Sequence, residues 1–194
     1  VFDNSPDVPV TTESSTQSEN SIFVDPNDNL VALNSNNSTP ANGGSVYGAD
    51  YLYTEDFAAT WDGSINGPNG SNSGDPAACI GTDGRWYVGY ISNGGQGVSY
   101  SDDQGDSWTK VQVAGAPGSG WSDLADKNHM WIDAKQGSPY ENYLYNAWTD
   151  FGGPFDNEIA LQRSMDRGET WDTKVNLSGA INTSGHCQGV NLST

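Results

Sequence analysis

The stretch SDDQGDSW, Ser101–Trp108, recurs later in the chain as SMDRGETW, Ser164–Trp171. Both follow the pattern S-x-D-x-G-x-S/T-W, which we call the box. A weaker copy, TEDFAATW at Thr54–Trp61, has Ala58 in place of the glycine. Ser and Asp side chains hydrogen-bond to backbone groups two residues on, and glycine adopts a left-handed conformation at little cost. Each box is therefore predicted to be a tight turn that ends on a Trp, with the Trp starting the next strand and packing over the turn.

The boxes resemble the Asp-box of the sialidase-type and BNR-repeat β-propellers, where it joins the third and fourth strands of a blade. The resemblance covers the chain from about Ser18 to its end and implies an all-β fold of four-stranded antiparallel blades. It says much less about function, because in those families the box lies on the rim, away from the ligand site. The residues it assigns to the turns are Asp56 and Trp61, then Ser101, Asp103, Gly105 and Trp108, then Ser164, Asp166, Gly168 and Trp171.

Short segments rich in Val, Ile, Tyr, Trp and Thr, bounded by Gly, Asn, Asp and Pro, predict strands throughout. No long helical periodicity is present, so almost no helix is expected. Four short strands in about 40–50 residues form a propeller blade. The predicted divisions are an N-terminal arm or ring-closing strand at 1–17 and a partial propeller at 18–194, with blades at about 18–65, 74–115 and 125–180 and the start of a fourth at 185–194.

About three and a half blades do not make a closed ring, since propellers need about 4–8. The resemblance implies a ring of six. An open half-ring exposes an apolar blade face and a sheet edge. We therefore expect the rest of the propeller to come from a longer chain or from a second copy.

The composition excludes some partners. The 194 residues carry a net charge of −18 with only 7 Lys plus Arg, which argues against nucleic acid and anionic membrane surfaces. No apolar run approaches the ~18 residues of a membrane span. The chain starts at Val1 without a signal peptide, as a mature secreted or cell-surface protein would. The two cysteines, Cys79 and Cys187, are compatible with one bridge or with two free thiols.

The innermost strand of each blade lines the channel of a propeller, so polar residues at the starts of these strands converge. Such a cluster can bind a cation, position a sugar or supply carboxylates for acid–base chemistry. The alternative is that these side chains cap strand ends or join neighbouring blades. The candidate ligand-binding residues are Glu19, Asp75, Asp126, Lys127, His129, His186 and Gln188, and the candidate catalytic residues among them are Asp75, Asp126 and His129.

No cofactor is established by the sequence, although calcium stays open. His129 and His186 are the only histidines, and a shared metal would need Asp75 or Asp126 as a further ligand. The stretch VDPNDN, 24–29, offers several oxygen ligands but lacks the full spacing of a calcium loop. A plain turn is favoured there.

The aromatic residues fall into two groups. Those in predicted second strands are expected to fill the space between blades; they are Trp86, Tyr87, Tyr90, Tyr143, Tyr145 and Trp148. Trp121, Tyr140 and Phe155 lie in predicted loops, where an aromatic ring can stack on the apolar face of a sugar. For these three, a structural role and a ligand-binding role are both open, and Trp121 is counted among the ligand-binding candidates.

Sialidase activity itself is not expected. The resemblance implies three arginines that clamp the substrate carboxylate, the first in an R-I-P motif ahead of the first box. Here no arginine precedes Arg85, and Arg163 and Arg167 flank or lie within a box. The first hypothesis is therefore a secreted or cell-surface module that binds a glycan or a partner protein. The alternative is a glycoside hydrolase or polysaccharide lyase of sialidase-like fold.

Overall fold

The computed structural model describes residues 6–40, 48–70, 72–178 and 187–193, which form three antiparallel sheets. Blade 1 contains β1 Ser15–Val24, β2 Ala32–Pro40, β3 Gly48–Ala49, β4 Tyr51–Thr54 and β5 Asp62–Ser64. Blade 2 contains β6 Ala77–Ile80, β7 Trp86–Ser92, β8 Gly95–Ser101 and β9 Thr109–Ala114. Blade 3 contains β10 Leu124–Ile132, β11 Leu144–Phe151, β12 Glu158–Ser164 and β13 Val175–Asn176.

Each sheet follows the chain from its inner to its outer strand, with β3 as a short extra partner of β2. The all-β fold of four-stranded antiparallel blades is thus confirmed. In the described ranges the one helical element is the 3-10 turn Gly153–Phe155. No helix there is long and apolar enough to cross a membrane.

Some predicted boundaries shift. The inner strand β1 begins at Ser15, inside the segment 1–17 that we expected to be an arm or closing strand. The Trp of each box precedes its fourth strand rather than starting it, since β5 begins at Asp62, β9 at Thr109 and β13 at Val175. The start of a fourth blade was expected at 185–194. Residues 187–193 form no strand, and residues 185, 186 and 194 lie outside the described residues.

The strand registers align the three blades residue by residue. In each blade the last residue of the inner strand pairs with the first residue of the second strand. That second-strand residue pairs in turn with the first residue of the box. The aligned sets are Val24, Ala32 and Thr54 in blade 1, Ile80, Trp86 and Ser101 in blade 2, and Ile132, Leu144 and Ser164 in blade 3.

Because neighbouring strands are antiparallel, each blade has two distinct ends. The inner strands start at one end, which we call the mouth end, and the boxes lie at the other, which we call the box end. The connections 115–123 and 152–157 lie at the mouth end. The connections 25–31 and 133–143 lie at the box end.

The core lies between the blades. One cluster joins Leu33 of blade 1 to Ile80 of blade 2, and a second joins Tyr87 of blade 2 to Ile132 of blade 3. Most predicted second-strand aromatics lie there, fully buried: Trp86, Tyr87, Tyr90 and Trp148. Tyr143 and Tyr145 of blade 3 are only partly buried.

The two cysteines are not bridged. Cys79 is buried, its Sγ contacts the backbone oxygen of Met130 at 3.4 Å, and burial raises the pKa of this thiol well above its ordinary value. Cys187 is half-exposed, and its backbone N–H donates to Asn157.

Candidate functional site

Each box is a turn held by its own side chains. The Asp103 carboxylate accepts hydrogen bonds from the backbone N–H of Ser107 at 2.8 Å and from its hydroxyl at 2.6 Å. Ser101 Oγ donates to the same carboxylate and accepts from the N–H of Gly105, both at 2.8 Å. The Ser107 hydroxyl is the main cause that holds the pKa of Asp103 below its usual range. The predicted roles of Ser and Asp in the turn are therefore realised.

The other two boxes repeat this geometry. The N–H of Gly168 donates to Ser164 Oγ at 2.8 Å, and the N–H of Ala58 donates to Thr54 Oγ1 at 2.9 Å. The backbone is left-handed at this position in every copy, with φ of 95° at Gly105, 83° at Gly168 and 64° at Ala58. Ala58 carries a conformational cost that the glycines avoid, so the turn pattern holds even where its glycine is missing.

All three arginines of the sequence lie at the box end and are paired with acids. Arg85 is only 5% exposed, and its guanidinium binds Asp102 through two bonds of 2.7 and 2.8 Å. Arg167 reaches Asp102 and Asp83, and Arg163 pairs with Asp172. This part of the propeller therefore supplies no arginine to the mouth end.

Three of the candidate ligand-binding residues meet at the mouth end. Glu19, Asp75 and Lys127 share an unusual left-handed backbone, with φ of 55°, 56° and 52°. In β1 and β10 the residue lies in a β-bulge that interrupts pairing with the second strand. Bulges re-aim side chains and are common beside functional sites.

Direct bonds connect these three residues across the blades. Lys127 Nζ lies 2.8 Å from Glu19 Oε2, and the backbone N–H of Lys127 donates to Asp75 Oδ2 at 2.9 Å. The backbone N–H of Asp75 in turn donates to Asn37 Oδ1 at 2.8 Å. The alternative role, joining neighbouring blades, is thus present in the structure. The Lys127 and Glu19 side chains are still 45% and 40% exposed, so they also face solvent.

His129 lies deeper along β10 and is engaged by the C-terminal segment. Its Nδ1 accepts a hydrogen bond from the N–H of Leu192 at 3.1 Å, and its ring stacks on Trp131 at 6.1 Å. Burial lowers the pKa of His129 and so favours the neutral form of its ring. Asp126 pairs with Thr149 and is partly exposed. Gln188 is exposed, whereas His186 lies outside the described residues.

Within the described ranges, no group of three or more His, Cys, Asp or Glu side chains is arranged to hold a metal ion. The oxygens of VDPNDN hold their own turn. Asp25 Oδ1 accepts from the N–H of Asn27 at 2.7 Å, and Asp28 Oδ1 accepts from the N–H of Leu30 at 3.0 Å. The plain turn favoured by the sequence is what these bonds form, and calcium stays a prediction.

The three loop aromatics separate to opposite ends. Trp121 is 100% exposed at the mouth end. Its loop is held by Asp123, which accepts from the N–H of Gly120 at 2.8 Å, and any side chain at Gly118 or Gly152 would collide with Asp123. The loop therefore presents Trp121 from a tightly packed base.

Phe155 shares the mouth end with Trp121, because it lies in the adjoining connection 152–157. Its ring is 44% exposed and lies 5.5 Å from Lys174 Nζ. Tyr140, by contrast, lies at the box end against Tyr143, with 5.7 Å between ring centroids. The sequence predicted all three as loop residues. Strand counting along the repeat would have separated them, because successive connections alternate between ends.

Comparison with known proteins supports the fold. No family model and no curated protein matches the chain. A protein of unknown function from Dyadobacter fermentans is similar in structure, with a TM-score of 0.59 and 13% identity over 82% of this chain and 50% of that one. A GH62 hydrolase in complex with xylotriose gives 0.55 and 15% over 84% and 51%. A Hadza microbial sialidase gives 0.53 and 13% over 81% and 33%.

These likenesses establish a partial propeller fold shared with sialidases and glycoside hydrolases. At this identity they carry no residue roles. The chain spans about half the length of the Dyadobacter protein and of the GH62 hydrolase, and about a third of the length of the sialidase. What the site binds must therefore be argued from its own residues.

Proposed function

We propose that this chain belongs to an exported Asp-box β-propeller that binds a carbohydrate at its mouth end. The observation that carries the proposal is the fully exposed ring of Trp121 on a packed loop. Three turns with one hydrogen-bond geometry support the Asp-box assignment. The binding end is then opposite to the boxes.

A large aromatic ring left in water favours a ligand with an apolar face. Trp combines such a face with one polar N–H, which matches the alternation of C–H faces and hydroxyl edges on a sugar ring. Because Asp123 and the glycines around it already fix the Trp121 loop, little conformational freedom is lost on binding. Phe155 offers a second ring at the same end.

The charges at this end favour a neutral sugar. The net charge is −18, and each arginine is paired at the box end, so a carboxylated sugar would meet repulsion without a bidentate partner. The exposed side chains of Glu19 and Lys127 supply one acceptor and one donor for hydroxyl groups. Neutral oligosaccharides are therefore the ligand class that fits.

A glycoside hydrolase is the second candidate, because Asp126 is partly exposed next to the cluster formed by Glu19, Asp75 and Lys127. General acid–base chemistry needs two carboxylates near the scissile bond, and Asp75 is the other candidate. Its Oδ2 is already occupied by the N–H of Lys127, and His129 Nδ1 by that of Leu192. These hydrogen bonds therefore favour a protein that binds a sugar over one that hydrolyses it.

The test is calorimetric titration of the 194-residue chain with neutral oligosaccharides of xylose, galactose, glucose and mannose. Trp121→Ala should weaken binding by about five- to 150-fold, since a stacking contact with an aromatic side chain is worth roughly 1–3 kcal/mol. Tyr140→Ala is the matched control, because it removes an exposed ring at the opposite end, and it should leave the affinity unchanged. Equal effects of both variants, or binding to none of the sugars, would refute the proposal.

The same samples distinguish the hydrolase. Release of reducing ends would be measured over days with the wild type, Asp126→Ala and His129→Ala. The binding proposal expects no release in any sample and unchanged affinity for Asp126→Ala. Release that disappears in Asp126→Ala would establish the hydrolase instead.

A further inference from the structure

Blade 1 exposes an apolar groove of about 200 Å³ on the side that faces away from blade 2. We call it the leading groove, and its apolar walls are Ile22, Val24, Leu30, Phe57 and Trp61. The first four side chains are between 46% and 71% exposed. Contiguous exposed apolar surface of this kind marks an interaction site.

The aligned positions of the other blades are buried. Val24 corresponds to Ile80 and Ile132, which are both 0% exposed, whereas Val24 itself is 52% exposed. Ile80 is covered by a cluster that includes Leu33 of the preceding blade, and Ile132 by one that includes Tyr87. The leading groove is therefore a blade interface of the type already present twice in this molecule.

The box turns lead to the same conclusion. A Cβ at Gly105 would lie 3.3 Å from Tyr51, and one at Gly168 would lie 3.2 Å from Tyr87, each on the preceding blade. Ala58 takes this position in blade 1 and lines the leading groove. In blade 1, the corresponding position against the turn is therefore open to an aromatic side chain of another blade.

The chain carries a matching surface at its other side. Tyr145 of blade 3 aligns with Leu33 and Tyr87, the residues that cover the following blade in the two internal interfaces. Leu161 and Val175 pair with each other beside it. Tyr145 and Leu161 are partly exposed and Val175 is 53% exposed. We call these three residues the trailing face.

We propose that the leading groove binds the trailing face of a second copy of this chain. The contact is heterologous, and because each copy has one groove and one face, two such contacts can close a symmetric pair. The charge of −18 on each copy opposes association, so salt should strengthen the pair by screening.

The experiment is sedimentation velocity of the 194-residue chain over a range of concentrations and salt. The wild type should sediment with twice the 20.6 kDa mass of one chain. The groove variant Ile22→Asp/Phe57→Asp and the face variant Tyr145→Asp/Val175→Asp should each sediment as monomers. Tyr140→Asp, which changes an exposed ring outside both surfaces, should still form the pair.

Mixing tests the head-to-tail arrangement. An equimolar mixture of groove and face variants retains one intact contact and should recover a dimer. A wild type that stays monomeric at every concentration, or a dimer unaffected by the groove variant, would overturn the proposal. So would a face variant that still dimerises, since that indicates groove-to-groove contact. Circular dichroism checks folding, and Phe57→Ser and Val175→Ser replace any variant that fails it.

Discussion

Lys127 of the third blade lies 2.8 Å from Glu19 of the first, Nζ to Oε2, although a whole blade separates them in the chain. The contact is not isolated. Phe23 and Trp131 meet edge to face at 5.5 Å, and Gln136 donates to Asn27 Oδ1 at 2.9 Å. These three contacts follow β1 from the mouth end to the box end. Side chains of the inner strands of blades 1 and 3, and of the loops that follow these strands, therefore contact each other at three levels.

The Glu19–Lys127 pair should contribute little to stability despite this position. Both side chains are more than a third exposed, and exposed ion pairs contribute at most about 1 kcal/mol. Glu19→Gln should lower the free energy of unfolding by less than this, as measured by urea denaturation at low salt. A loss above about 2 kcal/mol would mean that the pair is effectively desolvated.

The box predicts a sharper contrast between two serines of one turn. Ser101 is buried, and its Oγ accepts the N–H of buried Gly105, whereas Ser107 is exposed on the same turn. Ser101→Ala leaves that N–H without its acceptor and should cost about 1–3 kcal/mol in urea denaturation. Ser107→Ala should cost distinctly less, because water can replace its hydroxyl. Equal losses would show that the box is held mainly by the Asp103 carboxylate.

The repeat made most of the fold predictable. Glu158–Ser164 lies between Asn157 and a box, and it forms a strand as the general pattern of turn residues and short segments predicts. The fourth strand of blade 3 was expected to start at Trp171, but only Val175 and Asn176 pair with β12. Pairing depends on the partner strand, which a single segment does not reveal.

The sequence named three residues that lie together in the structure, but not the bonds that join them. Glu19, Asp75 and Lys127 were identified from their place before an apolar strand, and they do meet. The left-handed backbone that these three residues share has no clear sequence signature, since none of them is glycine or asparagine. Asn37, which accepts the N–H of Asp75, comes from a second strand and was not identified. The sequence of one strand segment does not show which residue of a neighbouring blade it contacts.

Asp50 is a buried carboxylate that the sequence did not single out. It is 0% exposed and accepts hydrogen bonds from the N–H of Asn36 at 2.6 Å and from the hydroxyl of Ser38 at 2.8 Å. Burial raises the pKa of Asp50, outweighing these bonds. A raised pKa means that the folded state prefers the protonated acid, so this group's contribution falls as pH rises through the folded-state pKa.

Asp50→Asn should therefore raise the urea midpoint at pH 7, because the amide avoids the cost of a buried charge and can keep both bonds. The gain should shrink as the pH falls through the raised folded-state pKa towards the ordinary Asp value of about 3.9, and should not change further below it. Asp62→Asn is the matched control, since Asp62 is exposed in the same blade, and it should change the midpoint little. A midpoint lowered by Asp50→Asn at pH 7 would contradict this account.

His129 should make the protein less stable in mild acid. Burial lowers the pKa of its ring, while an unfolded His titrates near about 6.5. The unfolded state therefore takes up a proton first, and stability that is complete above pH 6.5 is lost as the pH falls through the folded-state pKa. Protonation of Nδ1 would also break the bond from the N–H of Leu192, which ties residues 187–193 to β10.

Two measurements check this. In an NMR titration, one of the two imidazole signals should titrate below about pH 6.5 and remain in His186→Gln, which assigns it to His129. Between pH 7 and 5, where few carboxylates titrate, the free energy of unfolding should fall in the wild type and in His186→Gln but stay nearly flat in His129→Gln. An equal slope in all three proteins would show that His129 is not the group responsible.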